Sequence, residues 1–465
     1  MSIFNNNILA GAAAQSSGSA VHTIDQSIRF NDNDSAYMTR TPSSAGNRRT
    51  WTWSAWLKRG NITSTMQLFN AGANDSNNSR FQINSDDVIS YVHADSGSVT
   101  DQIKTNMKIR DTAAWYNIQL VADTTNEVET ERLRLYVNGQ RISDLATTNY
   151  PTLNFDTDIN NTEVHNIGRL FSNTQYLDGY LAEIVFIDGT ALDPSSFGEY
   201  NSSGIWIPKD VSGLTFGTNG FHIKGEDSSD LGNDSSGNNN DYTTSGLAAH
   251  DQVADSPTNN FCTYNSIQLQ SGATLSDGNL DAVSSGSSWR NVHSTIGVSS
   301  GKWYWEVKAD VINSSQTWIA GIQETSFESK TNYWWQAGYT ASSSGIVFGV
   351  LDSNYKVTNV TRTSFTHDIA QGDIVQFQLN LDDNELSVLV DGVSKGKIYD
   401  ITANTEYTPA VCLYSTSSAT INFGQDGTFG GTETAGGNSD GNGIGNFKYS
   451  VPSGYLALCT KNLGS

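Results

Sequence analysis

The chain has few of the residues that build metal sites and disulfide frameworks. Only three cysteines occur among 465 residues, no two of them form a Cys-x-x-Cys pair, and the seven histidines are scattered. Such sparse cysteines exclude a disulfide framework and make a zinc site a poor interpretation. We expect Cys262, Cys412 and Cys459 to be small buried hydrophobes in a chain that folds in a reducing cytoplasm.

Long apolar runs and positive charge are scarce as well. No apolar stretch could span a bilayer, and the short one from Ile8 to Ala14 has no Lys or Arg before it, which makes it a poor secretory signal. Against 48 Asp and Glu there are 26 Lys and Arg, so the formal net charge is −22. A surface this acidic repels phosphate backbones and anionic headgroups. We therefore expect no nucleic-acid partner, no membrane insertion and no signal peptide.

The abundant residues are those of strands and turns. Glycine occurs 42 times, aromatic residues make up 10 %, and helical heptads are absent. From Trp51 to Leu57, apolar Trp, Trp, Ala and Leu alternate with Thr, Ser and Trp, and from Leu133 to Val137 a similar alternation leads into the turn pair Asn138-Gly139. The pattern predicts an all-β fold of two antiparallel β-sandwiches joined by a polar, loop-rich connector.

We divide the chain into four parts. Residues 1–20 are either a frayed end or a docking peptide, 21–224 the first sandwich, 225–260 the connector, and 261–465 the second sandwich with a Gly-rich loop and a closing C-terminal strand. A docking peptide would bind through the apolar side chains of Ile3, Phe4, Ile8 and Leu9.

The connector and the ends of the second sandwich carry two more predictions. The composition of the connector cannot bury enough surface for a core of its own, but Leu231, Tyr242 and Leu247 can anchor it to a neighbour. The segments FCTYN, from Phe261, and LCTKN, from Leu458, echo each other and bracket the second sandwich. We expect these two segments to pair.

Two stretches resemble known families. Residues from about 50 to 200 resemble a laminin-G/concanavalin-like lectin domain in the pieces WTWSAWLK (51–58), WYNI (115–118), LRLYVNG (133–139), IGR (167–169) and LDGYLAEIVF (177–186). Residues from about 287 to 427 resemble a SPRY domain in GKWYWEV (301–307), AGI (320–322), the stretches 372–382 and 386–392, and INFG (421–424). The first resemblance implies a two-sheet jelly roll, and the second implies recognition of short peptides or loops by the loops at one end of a sandwich.

The whole arrangement resembles the virion proteins of tailed phages. That resemblance implies a tail-fibre, knob or head-decoration component, made in the host cytoplasm and located on the particle. Its partners would be other virion proteins and a host-surface glycan or protein, and it would form a homo-oligomer, a trimer by resemblance. A purely architectural joint without a ligand and a surface-glycan depolymerase are the alternatives, and a free SPRY adaptor fits less well.

The patterns of catalytic sites are absent from the sequence. A glycanase needs two carboxylates facing each other across a cleft, and the closest pair, Glu183 and Asp188, has odd spacing, which puts them on opposite faces of a strand. No Gly-x-Ser-x-Gly elbow occurs. We therefore expect a protein that is not an enzyme, without catalytic residues.

Calcium and exposed aromatic rings are the remaining site candidates, and no other cofactor is indicated. Acidic residues in predicted loops are either turn residues or Ca²⁺ ligands, and they are Asp32, Asp34, Asp75, Asp86, Asp87, Asp230, Asp234 and Asp241. The adjacent Trp334 and Trp335, with Tyr339, either fill the core or present a ring to a ligand, as does Trp56. Trp206 and Trp289 are predicted to seal the ends of domains.

Overall fold

The computed structural model describes residues 22–327, 347–358 and 361–464. The chain divides into two compact units between Asn260 and Phe261. Nearly all the regular structure consists of strands, numbered below along the chain, and the α-helix of the described residues is α1 (Thr460–Leu463). Short 3-10 turns occur at Asp32–Asp34, Glu129–Glu131, Pro194–Ser196, Ala249–Asp251 and Ser266–Gln268. Within these ranges no helix is long and apolar enough to cross a membrane.

The first unit contains two large sheets and a separate hairpin. The first sheet comprises β1 (Ser27–Phe30), β3 (Thr50–Arg59), β8 (Trp115–Asp123), β9 (Leu133–Val137), β10 (Gln140–Arg141), β13 (Gly179–Asp188), β16 (Phe221–Ile223) and β18 (Gln252–Val253). The second comprises β2 (Tyr37–Arg40), β4 (Met66–Asn74), β5 (Asn77–Ile83), β6 (Val88–Asp95), β7 (Ser98–Lys108), β11 (Leu145–Asn149), β12 (Val164–Ile167) and β17 (Thr243–Ser245). The hairpin is β14 (Gly198–Tyr200) with β15 (Trp206–Pro208).

Strand pairing in this unit is antiparallel throughout the two large sheets. The order is β10-β9-β8-β3-β13-β1-β18 in the first sheet, where β16 also pairs with β13, and β11-β7-β6-β5-β4-β12-β2-β17 in the second. Antiparallel strands of distant sequence positions are therefore neighbours, as in a jelly roll.

The core of the first unit follows the predicted alternation on β3. Trp51, Trp53, Ala55 and Leu57 all belong to the main buried cluster, and Trp53 packs edge-on against Phe81 with ring centroids 5.3 Å apart. Because side chains on a strand alternate between its faces, this one strand sends four apolar residues into the core. The alternation predicted on β9 likewise places Leu133, Leu135 and Val137 in this cluster.

The segment predicted as a connector, 225–260, is instead part of the first unit. β17 extends the second sheet by pairing with β2, and β18 extends the first by pairing with β1. Leu231 and Tyr242 are buried in the main core, and Leu247 packs against it. The anchors were read correctly, but the free edges of two existing sheets let a polar segment fold onto them without a core of its own.

The second unit also contains two sheets. The first comprises β19 (Ala273–Ser276), β20 (Asp281–Ser284), β22 (Lys302–Val311), β27 (Ile374–Asn380), β28 (Glu385–Val390), β29 (Val393–Asp400), β31 (Ser418–Asn422) and β32 (Leu456–Ala457). The second comprises β21 (Trp289–His293), β23 (Trp318–Glu324), β24 (Val347–Leu351), β25 (Tyr355–Thr358), β26 (Thr361–Ser364) and β30 (Tyr407–Tyr414). Their orders are β19-β20-β31-β22-β27-β28-β29, with β32 beside β22, and β21-β30-β23-β24-β25-β26.

Strands β27, β28 and β29 of the second unit form a strand–turn–strand meander. Phe377 of β27 lies opposite both Trp305 and Val388, and the rings of Trp305 and Phe377 stack with centroids 5.3 Å apart. The turns lie at Asn384 and Asp391, which have φ of 57° and 48°, a conformation that Asn and Asp tolerate. The all-β prediction of two sandwiches is confirmed.

The two echoing segments of the second unit pair as predicted. Phe261 and Cys459 form an antiparallel bridge, and the Cys262 amide donates to the Leu458 carbonyl at 3.1 Å. All three cysteines are buried free thiols, as expected.

Candidate ligand-binding site

The β14–β15 hairpin places two aromatic rings side by side on the first unit. Tyr200 and Trp206 are cross-strand partners, and their ring centroids lie 4.9 Å apart at an interplanar angle of 66°. Tyr200 is 45 % exposed, which is rare for a ring of this size among the described residues. We call this pair the aromatic platform.

Glycine backbone supports the platform from below. The turn after β9 has Asn138 and Gly139 at φ 49° and 74°, the left-handed pair that the Asn-Gly signal predicts. A Cβ built on Gly139 would lie 2.4 Å from the Trp206 ring, and a Cβ on Gly198 equally close. The ring therefore rests directly on two stretches of backbone, where a larger residue would displace it.

Hydrogen bonds fix both rings in place. The Trp206 Nε1–H donates to Asn117 Oδ1 at 3.2 Å. The Tyr200 hydroxyl donates to the Asn138 carbonyl at 2.8 Å and accepts from Gln140 Nε2 at 2.5 Å. Because their polar atoms are already engaged, the rings lose little freedom when a ligand stacks on them.

A shallow concavity of about 440 Å³ surrounds the platform. Asp193, Glu199, Ser195 and Lys209 line it with the two rings. The Asp193 side chain is 76 % exposed, and Lys209 Nζ donates to the Ser195 carbonyl at 3.1 Å. Fixed rings flanked by exposed hydrogen-bonding groups suit a ligand with both C–H faces and hydroxyls, such as a sugar.

A second concavity of about 320 Å³ opens at the side of the same sandwich. Its floor includes the buried Ile103, Leu133 and Leu135. At its mouth Arg141 holds Glu131 through one guanidinium nitrogen, at 2.8 and 3.0 Å from the two carboxylate oxygens. This charged pair neutralises itself, so the concavity offers a ligand fewer unengaged polar groups than the platform does.

The site residues predicted from the sequence do not include the platform. Trp334, Trp335 and Tyr339 lie outside the described residues, as do Ile3, Phe4, Ile8 and Leu9. Trp56 is only 5 % exposed and packs with Ile24 and Ala182.

The two tryptophans predicted to seal domain ends have different environments. Trp289 is buried against Tyr414, in a small core cluster. Trp206 belongs to the platform and also packs against the small buried cluster of Ile24, Trp56 and Ala182. A 3-10 turn at Pro194–Ser196 precedes the hairpin, and β14 begins at Gly198. The sequence signal for a short hairpin is Gly-Glu-Tyr and Trp-Ile-Pro on either side of the turn-rich segment Asn-Ser-Ser-Gly-Ile.

The carboxylates of the acidic loop residues considered for calcium, apart from Asp230, are engaged with the protein. Asp32 accepts from Asn61, Asp34 from Asn31, Asp75 from the Ser172 amide, Asp86 pairs with Lys104, Asp234 accepts from the His222 amide, Asp241 from the Asp234 amide, and Asp230 lies in a backbone turn with Asp227. Within the described ranges, no group of three or more His, Cys, Asp or Glu side chains is placed to hold a metal ion.

Asp87 is the most deeply engaged of these acids. It is buried, and its carboxylate pairs with Arg59 at 3.0 Å and with Arg110 at 2.8 Å. Burial works to raise the pKa of Asp87, but hydrogen bonds from the Thr63 amide and the two arginines outweigh it, and the pKa is lowered.

The two carboxylates weighed for catalysis lie on opposite faces of β13. A bulge between Ala182 and Val185 leaves Glu183 with φ of 49°, and its Oε2 lies 2.8 Å from His222 Nε2, with both side chains buried. Asp188 pairs across the sheet with the core residue Trp51 and accepts from the Asn47 and Asn219 amides. These two carboxylates do not face each other across a cleft, which a glycosidase pair requires.

Comparison with known families follows the two units. Residues 31–195 match the model of the concanavalin A-like lectin/glucanases superfamily, and residues 302–426 match the model of the SPRY domain.

Solved structures show similarity at low identity. The SPRY domain of human HERC1 is 18 % identical, over 34 % of this chain and 96 % of that one, with a TM-score of 0.28. The TRIM65 PSpry domain is 16 % identical, over 34 % and 89 %, with a TM-score of 0.27. A heptameric SAP-like pentraxin from Limulus polyphemus is 17 % identical, over 37 % and 80 %, with a TM-score of 0.28. From the two family matches, the chain carries a concanavalin A-like lectin domain followed by a SPRY domain.

Proposed function

We propose that this chain is a non-enzymatic adhesion protein that binds a cell-surface glycan at the aromatic platform of its lectin-like unit. The observation that carries the proposal is the orientation of Tyr200 and Trp206, which hydrogen bonds to Asn117, Asn138 and Gln140 hold rigid beside an open concavity. Rigid aromatic rings are characteristic anchors of binding surfaces, because they supply contact area at little entropic cost.

The chemistry of the rim supports a sugar over a purely apolar ligand. The C–H face of a sugar ring stacks on Trp206, while its hydroxyls donate to the carboxylates of Asp193 and Glu199 and accept from Lys209. A single shallow site of this kind binds weakly. Several copies presented together would raise the overall affinity by orders of magnitude.

The finer part of the proposal is the location of the protein. We place it on a tailed-phage particle, as a tail-fibre, knob or head-decoration component in contact with other virion proteins, and as a homotrimer. The support is the resemblance of the domain order and of the motifs throughout the chain. In this setting residues 1–20 serve as the docking segment, and Trp334, Trp335 and Tyr339 of the SPRY unit provide a second contact to a host protein or glycan.

A glycan array probed with the purified full chain tests the proposal. We expect retention of a subset of glycans, also in the presence of a calcium chelator, and a loss of tenfold or more in affinity for Trp206→Ala and Tyr200→Ala. Tyr37→Ala is the matched control. The Tyr37 ring also has a stacked partner, since Cζ of Arg169 lies 3.5 Å from its centroid, but Tyr37 lies on β2 of the second sheet and not at the platform. The control should retain wild-type affinity.

Three outcomes would oppose the proposal. Release of new reducing ends from a retained polysaccharide would support the depolymerase alternative. Glycan binding that is unchanged in both platform variants would place the site elsewhere. Absence of any retained glycan or protein receptor, with the protein firmly bound to particles, would support the architectural joint.

A further inference from the structure

Three polar side chains meet in the interior of the first unit. Lys58 of β3 and Asp255 are both 0 % exposed, and Lys58 Nζ lies 2.6 Å from Asp255 Oδ2. The same Nζ lies 2.7 Å from Oδ1 of Asn260. One amine therefore contacts a carboxylate and a carboxamide at once, and both the amine and the carboxylate are shielded from water, while Asn260 is half-buried.

Each of the other two groups is held in position. The Trp115 Nε1–H donates to Asp255 Oδ1 at 3.0 Å, which turns Oδ2 of Asp255 toward the amine. Asn260 Nδ2 donates to the Ala113 carbonyl at 2.6 Å, which turns its Oδ1 to the same point. The ring of Tyr180 lies 5.7 Å from Nζ and forms an apolar wall.

We propose that Lys58 and Asn260 form an intramolecular amide bond, with Asp255 as the proton shuttle. The reaction needs a nucleophilic nitrogen, a carbonyl carbon within reach and an acid–base group that contacts the amine, and the three side chains supply one each. A C=O bond is about 1.23 Å long, so Cγ of Asn260 is within about 3.9 Å of Nζ, close to the separation of reacting atoms in a near-attack arrangement.

The steps balance without any further reactant. The Lys58 ammonium passes one proton to the Asp255 carboxylate, and the lone pair of Nζ then forms a bond to Cγ of Asn260. The bond from Cγ to Nδ2 breaks as Nζ gives up a second proton, which is delivered through Asp255 to Nδ2. Ammonia leaves, the new amide keeps one proton on nitrogen, and Asp255 ends as the neutral acid, so the total charge is unchanged.

Burial favours this course over a lasting ion pair. An isolated charge in a low-dielectric interior is costly, so transfer of a proton between two adjacent buried groups leaves both neutral at small cost. Exclusion of water also protects the tetrahedral intermediate from hydrolysis. The other buried ion pairs of this unit, Arg29–Asp251 and Arg59–Asp87, use guanidinium groups, which do not serve as amine nucleophiles.

The bond would join residues that are 202 positions apart. Such a link lowers the entropy of the unfolded chain by closing a long loop, which is the effect that a disulfide across a long loop has. It would therefore lock the last segment of the first unit, from β18 onward, to the central strand β3. The proposal is independent of whether this unit binds a glycan.

High-resolution mass spectrometry of the purified full chain tests the proposal. We expect a mass about 17 Da below that of the sequence, because ammonia is lost, and a branched peptide that contains both Lys58 and Asn260. Lys58→Arg keeps the charge and Asp255→Asn keeps the shape, and both should show the full mass of their sequences. Asp156→Asn, which breaks an exposed ion pair of the same unit with Arg49, is the control that should retain the loss.

Three results of the mass measurement would contradict the proposal. A wild-type chain at full mass after days in neutral buffer would overturn the proposal, even if no variant folds. A loss of about 18 Da in a peptide joining Lys58 to Asp255 would overturn the choice of Asn260, because that bond releases water. A loss of about 17 Da that persists in Lys58→Arg would show that ammonia comes from elsewhere.

Discussion

Replacement of Asp87 by Asn should destabilise the first unit strongly. The carboxylate and its partner Arg59 are both fully buried and 3.0 Å apart, and Arg110 and the Thr63 amide donate to the same group at 2.8 and 2.7 Å. Removing one partner of such a pair leaves a buried charge uncompensated, which costs about 3–5 kcal/mol. Asn is chosen because Asp87 has φ of 67°, a conformation that Asn tolerates and Ala does not.

The matched control is a pair with the same chemistry in a different setting. Arg49 and Asp156 are 2.8 Å apart, but their side chains are 42 % and 46 % exposed. Water and salt screen an exposed pair, so Asp156→Asn should change stability by no more than the error of the measurement.

Hydrogen exchange of the full chain, read by mass spectrometry on peptides from β3 and β6, measures the free energy of opening of the first unit. The expected loss would appear in calorimetry as a fall in Tm of about 6–20 °C. Equal opening energies for Asp87→Asn and Asp156→Asn would refute the reasoning, since burial would then not decide the strength of the pair.

The pH dependence of stability tests the same ion pair independently. The pKa of Asp87 is lowered in the fold, so its contribution is present above about 3.9, its unfolded value, and is lost as the pH falls through the folded pKa.

Three further predictions concern single positions. Burial, followed by the charge of Asp310, raises the pKa of Asp281 to about 6, so the second unit loses stability as the pH rises from about 4 to 6. Asp281→Asn should therefore raise the free energy of unfolding at pH 7 by up to about 2 kcal/mol, measured by guanidinium unfolding. A lower free energy of unfolding in the variant would contradict this. Gly139→Ala should displace Trp206, because a Cβ there would lie 2.4 Å from the ring, and should lower glycan affinity while leaving the Tm of the second unit unchanged, as glycan titration and calorimetry would show. Glu306→Ala removes the acceptor of the Lys448 and Tyr449 amides, so limited proteolysis should cut near these residues, and an unchanged digestion pattern would count against it.

Alternation on single strands made much of the fold predictable. The inward set on β3 from Trp51 to Leu57 and the Asn138-Gly139 turn depend on local rules, the period of two and the left-handed preference of the turn pair. Both rules act within a few residues, so a sequence displays them directly.

The placement of 225–260 could not be read in the same way. Composition states whether a segment can build its own core, but not whether a neighbouring sheet has an unoccupied edge. The buried acids Asp251 and Asp255 look like ordinary turn residues in the sequence, and their partners Arg29 and Lys58 are some 200 residues away. Charges at such separations pair only after the sheets have formed.

The aromatic platform could not be predicted from the sequence, for a related reason. Tyr200 and Trp206 are brought together by a hairpin of three-residue strands, too short for its alternation to be recognised. Their support, Gly139, is some 60 residues earlier in the chain, so the rigidity that makes the rings a binding surface is a property of the tertiary structure.

The bridge between Phe261 and Cys459 brings the entry and the exit of the second unit to one place. The unit is therefore suited to circular permutation: a short linker could join these two ends, and new termini could be opened at the exposed Asp382–Asn384 turn without cutting any strand. For the same reason the unit could be inserted into, or removed from, a longer polypeptide as a cassette, with little disturbance to the path of the chain on either side.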